Sequence, residues 1–301
     1  MRGLMGQGKK TWLLISVMLL TAVGVYFAVD YLMKTRVTDN YPDKRIIKYS
    51  FTMQNPTNSL IENASFWVYL PAKQTTYQKR TNVSFSHRVE NRVDSNGNEK
   101  VVFTAKNLPP FGNEVFSVSA EIDIANSPNR LASVDMEPYL QPEKHIESED
   151  PRIVAIADSL KADSMTDSAI NINNWVIENL SDAGYIRRDH GAIYALENKT
   201  GDCTEFMNLF LALARASGIP ARGVAGYVNK ESTILKSRNY HNWAEVYIDS
   251  AWRVVDPLNK VIFKNESHYI AMRYLGSSPT DNTDNTQRFF DNDASVRVSM
   301  N

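Results

Sequence analysis

Gly201-Asp202-Cys203-Thr204-Glu205, continued by Phe206, Leu209, Phe210, Leu213 and Ala214 at helical spacing, is the stretch from which the fold of this chain is read. Asp202 and Glu205 have the spacing of a capping box, so a helix starts at Cys203, and Gly218 and Pro220 stand where it should stop. Apolar residues at every third or fourth position bury one face of that helix. The only cysteine of the chain therefore occupies a first helical turn, where unpaired N–H groups and the positive end of the helix dipole favour thiolate. Burial would oppose it.

Downstream, Ala221 to Val228 reads as one strand and Tyr240 to Ile248 as another, with His241, Trp243, Glu245 and Tyr247 on one face. A turn at Asp249-Ser250 would set Ile248 opposite Ala251. Counting back along this hairpin places His241 opposite Leu258, with Asp256 its diagonal neighbour on the same face. Such neighbours lie roughly 7–8 Å apart at Cα, within side-chain reach. A slip of one residue would put them on opposite faces.

Cysteine, histidine and aspartate in this arrangement supply a polarisable nucleophile, a group titrating near neutrality, and a carboxylate that orients the imidazole. Taken singly, each has a plain structural reading: Cys203 a core thiol, His241 a strand histidine, Asp256 a turn cap before Pro257. As a set they make an acyl-transfer site. The run Gly-Asp-Cys-Thr-Glu, then Leu-Ala-Arg-Ala-Ser-Gly-Ile-Pro-Ala-Arg-Gly-Val-Ala-Gly-Tyr, then His-Asn-Trp-Ala-Glu-Val-Tyr and Trp-Arg-Val-Val-Asp-Pro resembles the transglutaminase-like superfamily, over about Asp150 to Leu275. That resemblance implies an α+β, papain-like core in which Cys203 is nucleophile, His241 general base and acid, and Asp256 the orienting carboxylate. For the oxyanion hole, the Cys203 N–H is the natural first donor. The family often supplies a second from the region of Asn174, Trp175 and Tyr185, and Tyr185 is the candidate.

Around this set, Arg215 and Arg222 bracket the helix-to-strand turn, as solvated surface charge or as salt bridges to the site wall. Gly223 and Gly226 permit close strand packing. Trp243 and Trp252 read as hairpin core before substrate platforms, and Glu245 receives no catalytic role.

At the other end, Thr11 to Val29 are nineteen uncharged, mostly apolar positions, against roughly 20 needed for one crossing. They predict an uncleaved anchor over 11–31 rather than a signal peptide, because a cut after Ala28 would put Tyr26 where a small residue is required. Arg2, Lys9 and Lys10 before it predict a cytoplasmic N-terminus, 1–10, and a single-pass membrane protein with its bulk periplasmic or extracellular. Residues 45–125 alternate in the strand period between turn signals, which predicts a small antiparallel β-sandwich preceding the thiol core. Its role is either a spacer or, through His87, Phe66, Trp67 and Tyr69, recognition of a substrate or partner. Residues 126–151, with four prolines, read as a linker, 152–275 as the catalytic domain, and 276–301 as a polar tail whose last residues add one strand.

A net charge of −1 and no basic cluster give no reason for a nucleic-acid partner. Five scattered histidines and one cysteine form no metal pattern, the acidic tail lacks the spacing of a calcium loop, and no cofactor is expected. The expectation is a membrane-anchored thiol enzyme that attacks a peptide or protein amide and passes the acyl group to water or to an amine. Its class alternative is a noncatalytic, membrane-tethered scaffold for peptide or cell-envelope polymer. A cell-envelope polymer or membrane-protein partner fits either.

Overall fold

The computed structural model describes residues 39–94, 96–131, 135–276, 290–292 and 294–301, together with 18, 21 and 23–26. The anchor expected at 11–31 therefore lies outside the described residues except at six positions. Among the described residues no helix is long and apolar enough to cross a membrane.

Residues 40–301 form one compact unit of mixed α+β structure. Its first part is two antiparallel sheets face to face. Asp43–Gln54 pairs with Asn113–Ile124, which pairs with Gln78–Phe85. The second sheet runs Phe290–Asn292, Ile61–Tyr69, Glu99–Leu108, Val89–Val93. The strand period explains the layering: Ile47, Tyr49, Phe51 and Met53 point inward while Lys48, Ser50 and Thr52 between them do not. Phe51, Phe66, Phe103 and Phe116 fill the space between the sheets, with ring centroids 5.2–5.4 Å apart.

Two other parts of the chain complete these sheets. Arg297–Met300 adds to Asp43–Gln54 antiparallel, in the region where the alternation of 295–300 suggests a strand. Thr233–Ile234 adds to the same strand parallel, opposite Ile47 and Lys48. The stretch 126–151 is tied down as well: Glu143 and Ile146 form an antiparallel bridge, and Ile146 is buried in the core of the helical part.

The helical part covers a five-stranded antiparallel sheet in the order Val261–Ile262, Ala251–Asp256, Tyr240–Ile248, Ala221–Val228, Tyr269–Leu275. The helix Cys203–Ala216 packs against this sheet and touches the helices Pro151–Leu160, Met165–Asn179 and Gly191–Asn198. It is buried on more than the one face that periodicity implies, since every residue from Thr204 to Arg215 is buried. The hairpin has the expected register, Ile248 opposite Ala251. Asp249 and Ser250 both have positive φ, 53° and 64°, as a two-residue turn matching the strand twist requires. Gly226, opposite His241, has a packing reason: a Cβ there would lie 2.0 Å from the Ile270 carbonyl oxygen.

The sandwich core does not end at the sandwich. Tyr227, Leu235, Ile270 and Met272 of the helical part belong to the same buried cluster as Phe51 and Phe66. Arg45 Nη1 donates to the carbonyls of Asn229 and Ser267, at 2.9 and 2.7 Å. Gln78 bonds the Ala271 backbone through both its amide oxygen and its amide nitrogen.

Arg215 and Arg222 are buried structural cations. Arg215 Nη1 bonds Glu143 at 2.8 Å and its Nε donates to the Ala221 carbonyl. Arg222 donates twice to Glu245 Oε2, at 2.9 and 2.7 Å, and lies over the rings of Trp252 and Tyr274 at 4.0 and 4.1 Å. Breaking a buried pair by removing one partner leaves an uncompensated charge. Glu245→Ala is therefore expected to lower unfolding free energy by about 3–5 kcal/mol, measured as a fall in urea midpoint at constant slope. A shift near zero would mean that Arg222 is held by its aromatic neighbours alone.

Candidate active site

The site is assembled from a helix start, a strand and the end of the next strand. Asp202 caps the helix by accepting from the Thr204 N–H at 2.8 Å, and Glu205 folds back to accept from the Asp202 N–H at 3.1 Å. Both halves of the capping box are present. Gly201 makes the fold-back possible, because a Cβ there would sit 2.3 Å from Glu205 Cβ. Cys203 follows at the first helical position, half-buried, with its N–H beyond the reach of any intrahelical acceptor.

The same two carboxylates hold the loop that leads into the preceding helix, Gly191–Asn198. Ile186 N–H donates to Asp202 Oδ2 at 2.9 Å, and His190 N–H donates to Glu205 Oε1 at 3.0 Å. Burial pushes Glu205 up to about 7, against the backbone donors that favour its charged form.

His241 Nε2 lies 2.7 Å from Asp256 Oδ2. An ionised carboxylate only accepts, so Nε2 carries the proton and donates. Nδ1 is then the ring atom left for the thiol, and Cys203 lies within hydrogen-bond reach of His241. Burial on its own would discharge the imidazole, but the bonds to Asp256 and Cys203 outweigh it and raise His241 from 6.5 to about 10. Asp256 shows the complementary balance: burial would raise it, while His241, Asn259 and Tyr269 lower it below its ordinary range.

Asp256 accepts from three further donors. Tyr269 Oη donates to Oδ2 at 2.9 Å, Asn259 Nδ2 donates to the same oxygen at 2.7 Å, and the Asn259 N–H donates to Oδ1 at 3.2 Å. Asn259 Nδ2 also lies 3.1 Å from His241 Nε2. Burial and the Asp256 charge both raise the Tyr269 phenol, so it stays protonated and remains a donor. Trp243 backs the imidazole, its ring stacked 6.4 Å from His241 and edge-on to Tyr269 at 5.1 Å. It is fully buried, as a core residue rather than a substrate platform.

Cys203, His241 and Asp256 are thus brought together, at the register the hairpin spacing implies. Tyr185 is 74% exposed, and the tie between its loop and the helix cap runs through the next residue's N–H. Asn259 and Tyr269 were not singled out from sequence. Asn259 had a local signal, an Asp-Pro-Leu-Asn turn in which the side chain of the first residue accepts from the fourth N–H. Tyr269 had none, because it arrives on a strand paired at the far side of Ala221–Val228.

A helix-borne thiol thus faces a strand-borne imidazole and its carboxylate over an antiparallel sheet. Residues 154–257 match the model of the transglutaminase-like superfamily, and the chain carries that core domain. In sequence it is similar to the uncharacterized protein YebA of Bacillus subtilis, 35% identical over 75 residues; the match spans 21% of this chain and 10% of that protein. In structure it is similar to a candidate cysteine protease from Cytophaga hutchinsonii, at 18% identity and TM-score 0.51, over 86% of this chain and 92% of the other. It also matches the periplasmic domain of TgpA from Pseudomonas aeruginosa, at 16% identity and TM-score 0.39, over 70% and 88% of the two chains.

The raised imidazole and lowered carboxylate give a signed pH dependence. His241 titrates higher in the folded chain, so its contribution to stability is complete below pH 6.5 and lost as pH rises through about 10. Asp256 titrates lower, so its contribution is lost only as pH falls below the ordinary carboxylate range. Asp256→Asn is expected to move the His241 titration down from about 10 towards 6.5, read from the ring-proton resonances of selectively labelled histidine. A titration still near 10 in that variant would remove Asp256 from its role.

Proposed function

We propose that this chain is a thiol enzyme that attacks a peptide or protein amide through Cys203 and transfers the acyl group to water. The observation carrying the proposal is the continuous line from a thiol on a capped helix start, to an imidazole within its reach, to a carboxylate 2.7 Å beyond. The thiol proton passes to the His241 imidazole within its reach, and Sγ attacks as thiolate. Sγ adds to the carbonyl carbon, and His241 gives its proton to the departing amine as the C–N bond breaks, leaving a thioester. Water then adds as His241 takes one of its protons. The C–S bond breaks, the carboxylic acid leaves, and thiolate and imidazolium are restored. Asp256 keeps Nε2 as the donor throughout.

The Cys203 N–H, unpaired within the helix, is the first oxyanion donor in this mechanism. Water as acceptor is supported by the half exposure of Cys203 beside a loop in which Tyr185 is 74% exposed. Bulk water outnumbers any amine at such a site. The nineteen uncharged positions from Thr11 support anchoring by one helix with the thiol domain outside the cytoplasm.

The reading is tested by intact-mass analysis of a glutamine-containing peptide library after incubation with the protein, with and without a primary amine. Cleaved or deamidated peptides from wild type, and none from Cys203→Ala or His241→Ala, are expected. Amine adducts would change the acceptor from water to amine, and no cysteine-dependent change would favour a binding scaffold. A reporter fused after Asn301 is expected outside the cytoplasm, and its protection inside would reverse the orientation.

A further inference from the structure

Thr204 follows the thiol on its helix, and Asn242 follows the imidazole on its strand. Asn242 Nδ2 donates to Thr204 Oγ1 at 3.0 Å, and both side chains are buried. Elsewhere the helix meets the sheet through apolar residues such as Leu211, Ala244 and Val246 of one core cluster, with the Arg215 Nε bond to the Ala221 carbonyl at the far, C-terminal end of the helix. Apolar burial has no direction: it holds the helix on the sheet but discriminates poorly between positions that differ by a small slide or roll. A hydrogen bond does discriminate, since it weakens steeply with distance and angle. This one joins the two residues adjacent to the reacting groups, so any slide that parts sulfur from imidazole must first break it.

We propose that Thr204 and Asn242 are positioning residues, a buried latch that sets the separation between the Cys203 thiol and the His241 imidazole. The latch rests on the thiol–imidazole pairing proposed above and needs no knowledge of the substrate. Neither residue touches the reacting atoms in this scheme. They act by removing the freedom of the helix to drift at its N-terminal end. The cap residues Asp202 and Glu205 shape the helix start itself, whereas the latch registers that start against the strand.

The test uses the full chain with Thr204→Val, Asn242→Ala and the conservative Thr204→Ser, beside wild type and Cys203→Ala. Two quantities are read: the rate of Cys203 alkylation by iodoacetamide at neutral pH, and the His241 titration by resonance shift. Thr204→Val and Asn242→Ala are expected to slow alkylation about tenfold or more, because the thiol loses the imidazole that can take its proton. They are also expected to lower the His241 titration towards that of Cys203→Ala although the thiol is still present. Thr204→Ser keeps the hydroxyl and is expected to retain both wild-type readings, which separates the latch from general loss of packing.

Cooperative unfolding by urea shows which variants fold. Where Asn242→Ala does not, Thr204→Val against Thr204→Ser decides. Folded Thr204→Val with wild-type alkylation and titration would overturn the latch while leaving the pair intact. Identical His241 titration in wild type and Cys203→Ala would overturn the pairing itself, and the latch with it.

Discussion

The arrangement of this molecule depends on satisfying the N-terminus of a helix that is buried almost from end to end. Thr204 to Arg215 have no face left for solvent, so the free N–H groups of the first turn cannot all turn to water. An orphaned buried donor costs about 1–3 kcal/mol, and the remedy here is local. Asp202 and Glu205 answer two of the amides, Gly201 leaves room for the Glu205 side chain, and the spare oxygens of both carboxylates hold the loop at Ile186 and His190. Concentrating donors and carboxylates in this way produces a rigid helix start. Cys203 stands at the first position of that start.

Charge is handled by the same rule elsewhere in the core. Arg215, Arg222 and Arg253 each pair with a glutamate, and Arg222 is also covered by aromatic rings. Asp256 is answered by four donors from three residues, so the carboxylate can remain ionised although almost no part of its side chain reaches solvent. This is why the His241–Asp256 pair is a fixed feature of the fold and not a surface contact worth little.

What was legible in the sequence follows from how local each cause is. The capping box, the apolar helix period, the Asp249-Ser250 turn and the hairpin register are decided within a few residues. They lead from Cys203 to His241 and Asp256. The fate of Arg215 and Arg222 was open because their partners lie 72 and 23 residues away. The Tyr269 donor was hidden for the same reason. The strand Thr233–Ile234 was invisible for another: two residues carry no period, and only the exposed edge of Asp43–Gln54 gives them a partner.

These long-range ties also change what the sandwich does for the site. Along Tyr269–Leu275, Tyr269 sends its hydroxyl to Asp256, Ile270 and Met272 enter the sandwich core, and the Ala271 backbone is held by Gln78. A register bulge lies between Ala271 and Arg273. Moving the sandwich would therefore pull on the strand that supplies a donor to Asp256, and hence on the carboxylate that keeps His241 charged. A spacer joined by a loose linker would transmit no such strain. The shared core makes the β-sandwich part of the structure that holds the triad.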